Sequence, residues 1–279
     1  VRLILRTTSG KIGLPIVVIH LVVATMGNWL APYSPTSFNV DSNGDLLQLL
    51  GPSTTHFLGT DQFGRDIFSR VLAGSTSLII VAGSGTLIGI ALGTGIGIIS
   101  AYLGSWVDEL IMRIMDGVMS FPSLLMALLV ISTMGPNIIY IIATVAIVTM
   151  PGVSRVLRSV TLSLKEQEFV QNARLRGENP VYIMFGEILP NTYPIIGVEL
   201  SVRLSYAILI VSSLGFLGLG VQPPSPDWGL MIAQSRQFLS GAPWVALAPA
   251  GAVASLVVGV NLLTDGIRQA SALPSEVSS

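Results

Sequence analysis

The sequence contains no cysteine and only two histidines, His20 and His56, and two lysines, Lys11 and Lys165. A disulfide framework and a thiolate metal site or nucleophile are therefore excluded, and so is a histidine-rich metal centre. Neither lysine lies in a G-x-x-x-x-G-K-[ST] loop, so the chain has no ATP-binding P-loop of its own. Since G-x-S-x-G and H-E-x-x-H motifs are also missing, we expect a protein that is not an enzyme and holds no metal or cofactor.

Charge is also scarce. Asp, Glu, Lys and Arg make up 10% of the 279 residues, against 51% hydrophobic residues, and the mean hydropathy is +0.74. A soluble domain usually carries about 25% charged residues, and so little charge would leave large apolar patches exposed. The net charge of −1 and the absence of a strongly basic stretch exclude nucleic acid as a partner. The composition therefore predicts a membrane protein.

The apolar runs predict an all-α, polytopic fold with six membrane-spanning helices, since roughly 20 apolar residues cross the hydrocarbon core. The first run is too long for a signal peptide, and no small-residue cleavage site follows it. An uncharged stretch near the middle is long enough for two short spans, which the turn residues Gly135-Pro136-Asn137 would separate. The predicted spans are 12–31, 77–103, two within 117–154, one from Thr192 to about Gly220, and one between Arg236 and Asp265.

The basic residues predict the orientation, because loops on the cytoplasmic side are enriched in Lys and Arg. Placing the N-terminus inside puts most of them in the cytoplasm, namely Arg2, Arg6, Lys11, Arg113, Arg155, Arg158, Lys165, Arg174, Arg176 and Arg268. Only Arg65, Arg70 and Arg236 would then lie outside. Both termini are therefore expected in the cytoplasm, with the polar region 32–70 and the loop 221–237 outside.

Two patterns within the spans indicate how the helices are used. Gly85, Gly89, Gly93 and Gly97 recur every four residues and would form a strip along which another helix backbone packs closely, in this chain or in another. Glu199 and Arg203 are spaced for an ion pair on one helix face, either structural or with a role in substrate binding or gating. His20 is expected to pack against a neighbouring helix. Acidic residues are too few within the spans to favour a proton- or sodium-coupled carrier.

The longest cytoplasmic loop contains a short predicted helix, Glu166 to Arg176, with Gly177 as its C-cap and Pro180 just beyond. A short helix with both signs of charge, placed between spans, suits docking in a groove on a cytoplasmic partner.

At this loop the sequence resembles the permease subunits of bacterial ABC importers. Their E-A-A-x-x-x-G motif is followed by a Leu-Pro pair, and Gly177 and Pro190 have that spacing, although Gln171-Asn172-Ala173 replace E-A-A. Residues 56–70 resemble H-x-L-G-T-D-x-x-G-R-D-x-x-S-R, a signature of the peptide/nickel-type permeases and of the C-type subunit of dipeptide and oligopeptide importers. Further matches are 113–122, 168–170, 213–220, 226–229 and 261–268.

The resemblance implies a type I importer fold in which two homologous permeases form the pathway. Two partner ATPases, which carry ATP and Mg, would grip a coupling helix at about 165–177, and an extracytoplasmic binding protein would deliver the substrate. The residues implied in coupling are Glu168, Phe169, Gln171, Asn172, Ala173, Arg174 and Gly177. The extracytoplasmic motif is Gly59, Asp61, Gly64, Arg65 and Asp66, which would face the binding protein or form a compact turn leading into a helix.

We therefore predict a multi-pass permease of the bacterial inner membrane that imports short peptides. The predicted regions are 1–70 with the first span, 71–268 as the permease domain and 269–279 as a cytoplasmic tail. Nickel chelates and small oligosaccharides remain alternative substrates for the same architecture. Two other classes also remain open: a self-contained channel or secondary carrier, and a structural membrane scaffold. The residues that line the pathway are not identified by the sequence.

Overall fold

The computed structural model describes residue 5 and residues 7–272, with no side chains described for residues 271 and 272. Arg2 and Arg6 of the predicted basic N-terminus and most of the predicted tail, 273–279, lie outside the described residues. The helices in chain order are α1 (Thr8–Leu30), α2 (Ile67–Leu103), α3 (Ser105–Met119), α4 (Ser123–Met134), α5 (Ile138–Leu164), α6 (Glu168–Leu175), α7 (Pro180–Tyr182), α8 (Leu189–Phe216), α9 (Trp228–Ser235) and α10 (Trp244–Ala272). Residues Ile183–Ile188 form a π-helical segment that joins α7 to α8.

The predicted all-α membrane fold is confirmed. Within the described part of the chain, β-structure is limited to two isolated bridges. Five helices are long and apolar enough to cross a membrane, and the bent pair α3–α4 makes up to six. Helices α1 and α10 are antiparallel, since Gly13 lies against Leu262 and Leu263, whereas Gly259 lies against Ile16. Helices α2 and α5 run parallel to each other.

The directions in which the long helices run define two faces of the helix bundle. The face that holds the start of α1, the ends of α2, α5 and α10, and all of α6 is called the α6 face here. The opposite face, called the loop face, holds residues 31–66 and 217–243. On the loop face the indole of Trp228 is buried and donates to the Val71 carbonyl at 2.9 Å. Between the faces, Nε2 of His20 in α1 and Oγ of Ser255 in α10 are 2.9 Å apart.

The prediction of two short spans within 117–154 is right about the division and about the second span, which is α5, but wrong about the extent of the first. Residues 135–137 do interrupt the stretch, but α4 has only 12 residues, about 18 Å at 1.5 Å per residue, which is too short to cross a membrane. Helix α4 follows α3 after a short break, and the two helices are bent by 79° relative to each other. The bend follows from Pro122, because a proline disfavours helical geometry in the residue before it and cannot donate a backbone hydrogen bond.

Two helices begin earlier than the residues predicted from the apolar runs. Helix α2 begins at Ile67 and not near 77, because the Asp66 carboxylate caps it by accepting from Ser69 N at 2.8 Å. The helix expected from Thr192 begins at Pro180 and runs without a break through the π segment to Phe216. Asn179 caps it by accepting from Val181 N at 2.8 Å, and Pro180 at the first helical position needs no backbone partner.

The glycine strip brings α2 and α5 into backbone contact. A Cβ atom on Gly85 would lie 2.7 Å from Val145 Cβ, and one on Gly97 would lie 2.5 Å from the Ser154 carbonyl oxygen. The partner of this strip is thus a helix of the same chain. In α8, Arg203 Nη2 lies 3.0 Å from the Glu199 carboxylate, and its guanidinium covers Gly152 of α5.

Candidate coupling helix and loop-face motif

Helix α6 is a short helix with well-defined ends. At its C-terminus Glu178 N donates to the Ala173 carbonyl at 3.1 Å, and Gly177 N donates to the Arg174 carbonyl at 3.0 Å. These two bonds form a Schellman motif, which requires a left-handed residue after the helix. Gly177 supplies it with a φ of +74°, and nothing lies within 4 Å of the position that a Cβ would take. The need for glycine at 177 is therefore conformational and not steric.

The apolar face of α6 packs against this chain itself. Val170 and Ala173 are both 0% exposed and join Ile98, Ile183 and Ile188 in one buried cluster, with Phe169 half-buried beside it. The expectation that Ala173 contacts a partner is therefore wrong, because its side chain is fully enclosed. Much of the Phe169 side chain likewise packs against other residues of this chain.

The outer face of α6 consists of residues at i, i+3, i+4 and i+7, which share one side of a helix. They are Glu168, Gln171, Asn172 and Leu175, all exposed. Leu175 is 85% exposed, and the sequence prediction did not include it. The sequence signal for Leu175 was its position seven residues after Glu168, which places the two residues on the same side of the helix. An exposed apolar side chain on one face of a helix is the type of anchor by which a helix docks in a groove on a partner.

Side chains around α6 fix it to the membrane helices. The Arg174 guanidinium lies 5.2 Å from the centre of the Tyr102 ring near the end of α2, a cation–π contact. Lys165 Nζ, at the end of α5, donates to the Ala101 carbonyl at 3.2 Å. Arg176 Nη2 lies 3.7 Å from Glu187 in the π segment. Helix α6 is thus connected to the end of α2 and to the start of the α7–α8 helix, and the end of α5 that precedes it is also held to α2.

A charged layer lies between α3 and α5 on the α6 face. Arg158 Nε donates to Asp108 Oδ1 at 2.6 Å, and Arg155 forms an ion pair with Asp116. These groups line an open cavity of about 680 Å³. Because acidic and basic groups alternate and are paired across it, the layer joins α3 to α5 electrostatically.

On the loop face, residues 56–70 form a hydrogen-bonded loop that leads into α2. The Asp66 carboxylate, 1% exposed, lies 2.8 Å from His56 Nδ1 and also accepts from the Ser69 hydroxyl at 2.7 Å. The Asp61 carboxylate accepts from Arg65 Nε at 2.7 Å. These side chains are turned inward. Of the two roles that the sequence left open for this motif, the structure shows the compact turn that leads into a helix.

A second loop repeats this geometry. Asp61 Oδ1 accepts from the backbone N of residues 63 and 65, and Asp41 Oδ1 accepts from those of 43 and 45. Gly64 and Gly44 both have a positive φ. The two loops pack together through Asn39, whose Nδ2 donates to the Gly64 carbonyl at 2.8 Å. The shared spacing Asp-x-x-Gly at 41–44 and 61–64 was the sequence signal for this duplicated loop.

Comparisons with known proteins agree with this architecture. Residues 93–272 match the family described as the binding-protein-dependent transport system inner membrane component. The dipeptide transport system permease protein DppC of Alkalihalophilus pseudofirmus is 38% identical over 255 residues, which cover 91% of this chain and 84% of that protein. The glutathione transport system permease protein GsiD of Escherichia coli O157:H7 is 40% identical over 255 residues, covering 91% and 82%.

The chain belongs to the family of binding-protein-dependent transport system inner membrane components. The predicted resemblance to ABC importer permeases of the peptide type is thereby confirmed. This inner membrane component contains α6 within the matched range 93–272, whereas the duplicated loop precedes that range.

Two motifs of this inner membrane component, 213–220 and 226–229, pack against each other on the loop face. A Cβ on Gly215 would collide with the Asp227 carboxylate, and one on Gly229 would collide with the Ser212 carbonyl oxygen. Asp227 caps α9 by accepting from Leu230 N at 2.8 Å. Burial raises the pKa of the Asp227 carboxyl, and the hydrogen bonds that it accepts from backbone N–H groups oppose this shift.

The role of Asp66 as a helix cap leads to a stability prediction. Replacing Asp66 by alanine removes the N-cap of α2, at a cost of about 0.5–2 kcal/mol. It also leaves His56 buried without its carboxylate, at a further cost of about 1–3 kcal/mol. We expect a clearly lower midpoint temperature for the purified protein in mild detergent. Asp45→Ala, which removes an exposed carboxylate from the duplicated loop, is the control, and an equal loss in both variants would contradict the capping role.

Proposed function

We propose that this chain is the permease subunit of an ATP-driven importer that carries di- and oligopeptides across the bacterial inner membrane. The substrate class is supported by relatives named for transport of a dipeptide and of glutathione, which is itself a short peptide. The observation that carries the mechanism is α6, a firmly anchored helix with a free outer face in a chain that has no P-loop.

In the proposed assembly a second, homologous permease completes the pathway, and two ATPase subunits bind ATP and Mg. One ATPase holds the outer face of α6 through Glu168, Gln171, Asn172 and Leu175. Closure of the ATPases on ATP displaces α6, and the contacts of Arg174 with Tyr102 and of Lys165 with Ala101 pass this displacement to the end of α2, which packs along α5. Nucleotide binding changes the access state because the ATPases contact α6 differently in their open and closed forms.

The proposed orientation places both termini and the α6 face in the cytoplasm. The basic residues of α5 and α6 lie on that face, as the positive-inside rule requires. The loop face then lies outside, where the duplicated loop and the α9 region present a stable surface to an extracytoplasmic binding protein. The inward-turned carboxylates of Asp61 and Asp66 give this surface its shape.

The other functional classes have less support in the structure. A secondary carrier uses ionisable groups near the membrane midplane that bind and release ions, whereas Glu199 is already paired with Arg203. Within the described residues, no group of three or more His, Asp or Glu side chains is arranged to hold a metal ion. A nickel-chelate importer would therefore depend on its binding protein for the choice of metal.

The proposal predicts which companions the chain has and what energy it uses. Gentle purification of the tagged chain from its native membrane should recover a second permease and P-loop ATPases, identified by mass spectrometry. The recovered complex in proteoliposomes should take up a dipeptide with ATP and its binding protein present, and should take up none with a non-hydrolysable ATP analogue. Uptake by this chain alone without nucleotide would overturn the proposal in favour of a carrier.

A further inference from the structure

A polar cleft lies between α8 and α10 and opens to the side of the helix bundle. Its volume is about 440 Å³, within the range of about 300–1,000 Å³ that is usual for small-molecule sites. Polar side chains from both helices line it, and they are Ser205, Tyr206, Asn261, Thr264, Asp265 and Arg268. None of these groups has a part in the coupling helix or in the loop-face motif.

The cleft extends from the α6 face into the depth of the membrane. Asn261, Asp265 and Arg268 stand at i, i+4 and i+7 of α10 and share one exposed stripe. Asn261 lies about 10 Å deeper than Arg268 along the helix axis, at 1.5 Å per residue. Tyr206, on α8, is about 15 Å from the end of that helix at Phe216, by the same rise. The cleft is therefore charged at its mouth and polar but uncharged at its inner end.

This composition does not suit contact with lipid tails. Polar side chains at membrane depth face a water-filled cavity or protein, because hydrocarbon offers them no hydrogen bonds. Tyr206 is 61% exposed in the isolated chain and Asn261 is also exposed. Ile19 of α1 is exposed to the same extent, 61%. It is an example of the apolar side chains on the outer surface of the helix bundle, in contrast to Tyr206.

Several side chains of the cleft have hydrogen-bonding or charged groups that are not paired within the described residues. Ser205 Oγ donates to Asn261 Oδ1 at 2.9 Å, which orients the amide and leaves its NH₂ group without a partner among residues 7–272. Within the same residues, the Tyr206 hydroxyl has no hydrogen-bond partner, and neither Asp265 nor Arg268 has an ion pair. A donor, an acceptor and two opposite charges are thus available along one stripe.

This set of groups matches a zwitterionic short peptide. Asp265 can accept from an α-ammonium group, Arg268 can donate to an α-carboxylate, and the Asn261 amide can pair with a peptide bond. The remaining lining is apolar, with Val202, Leu209 and Val257, and can accommodate side chains of different shapes. Recognition of the main chain and termini alone would leave the choice of side chains open.

We infer that the α8–α10 cleft is the part of the peptide pathway that opens at the α6 face, and that it binds the main chain and the charged termini of a short peptide. The inference rests on the proposed function. It assigns to Tyr206, Asn261, Asp265 and Arg268 a contact with the substrate during its passage.

The absence of cysteine makes a direct test available, because any introduced cysteine is the only thiol on this chain. The complex carrying Tyr206→Cys or Asn261→Cys is placed in lipid nanodiscs and treated with a negatively charged methanethiosulfonate reagent. Mass spectrometry of this chain then gives the labelling rate. Ile19→Cys, with the same exposed fraction as Tyr206, is the matched control.

The cleft variants should react at least about ten-fold faster than Ile19→Cys, because a charged reagent is excluded from hydrocarbon. Alanylalanine at saturating concentration should slow the labelling of both cleft variants several-fold. Equal rates at all three positions, no reaction in the cleft, or labelling that the dipeptide does not slow would each overturn the inference. Lack of reaction would indicate that another protein chain or lipid fills the cleft.

The same preparations separate this inference from the proposed function. ATP-driven dipeptide uptake by the unmodified complex tests the importer, whereas protection of the cleft tests the site. If uptake is observed without protection, only the site assignment fails. If the unmodified complex takes up no peptide with ATP and binding protein present, the proposed function fails, and the inference fails with it.

Discussion

Replacing Gly89 and Gly93 together by leucine is expected to abolish recovery of a folded complex from detergent. A Cβ on Gly89 would lie 2.9 Å from the Ala146 carbonyl oxygen, and one on Gly93 would lie 2.7 Å from the Met150 carbonyl oxygen. These neighbours are backbone atoms of α5, which cannot rotate away as a side chain can. Overpacking costs about 1–3 kcal/mol per site even where side chains can adjust, so two leucines should force α2 and α5 apart.

The same helix offers a matched control for this experiment. Gly83 and Gly95 also lie in α2, but nothing occupies the space within 4 Å of a Cβ at either position. The double variant Gly83→Leu with Gly95→Leu should therefore give a normal yield and a single peak in size-exclusion chromatography. If both double variants were recovered equally well, close contact between α2 and α5 would not be needed for assembly.

Replacing Gly177 by valine is expected to reduce peptide uptake at least about ten-fold while ATP hydrolysis continues. A φ of +74° places an L-residue in the left-handed region at a cost of about 1–2 kcal/mol, and a β-branched side chain makes the conformation rarer still. About 1.4 kcal/mol is a tenfold change in population. The end of α6 should therefore lose its Schellman motif, and with it the fixed placement of Leu175 and Arg176.

The control for this prediction is Gly177→Asn, since asparagine tolerates the left-handed conformation. Uptake and ATP hydrolysis are measured on the same reconstituted complex, and the ratio of the two rates is compared. The asparagine variant should keep most of the uptake. Unchanged uptake in the valine variant, or equal losses in the two variants, would show that the helix end is not part of the coupling path.

The sequence predicted the features that depend on local residue order. Apolar runs located the membrane helices, and the spacing of Gly177 and Pro180 located the end of α6. It could not predict where α2 and the α7–α8 helix begin, since both extend into polar segments that no membrane-length criterion detects. Those starts are set by caps, Asp66 and Asn179, which resemble ordinary loop residues in the sequence.

The orientation of α6 could not be predicted because a short apolar face fits two arrangements equally well. Val170 and Ala173 could have bound a partner, but the α7–α8 helix begins early enough to cover them with Ile183 and Ile188. The start of that helix therefore decides which face of α6 remains outside. The α8–α10 cleft was missed for a related reason, since Tyr206 and Asn261 come together only in the folded chain.

The parallel contact between α2 and α5 has a mechanical consequence. Helix α2 has 37 residues and is about 55 Å long, and Val145, Thr149 and Val153 of α5 fit against its glycine strip and keep the two helices in register. If α6 moves the ends of both helices sideways by about 5 Å, a rod of that length that pivots about its middle tilts by about 10° and moves its other end by about 5 Å in the opposite direction. We therefore expect the two helices to swing together as one stiff lever, so that a shift at the α6 face reaches the loop face without bending either helix.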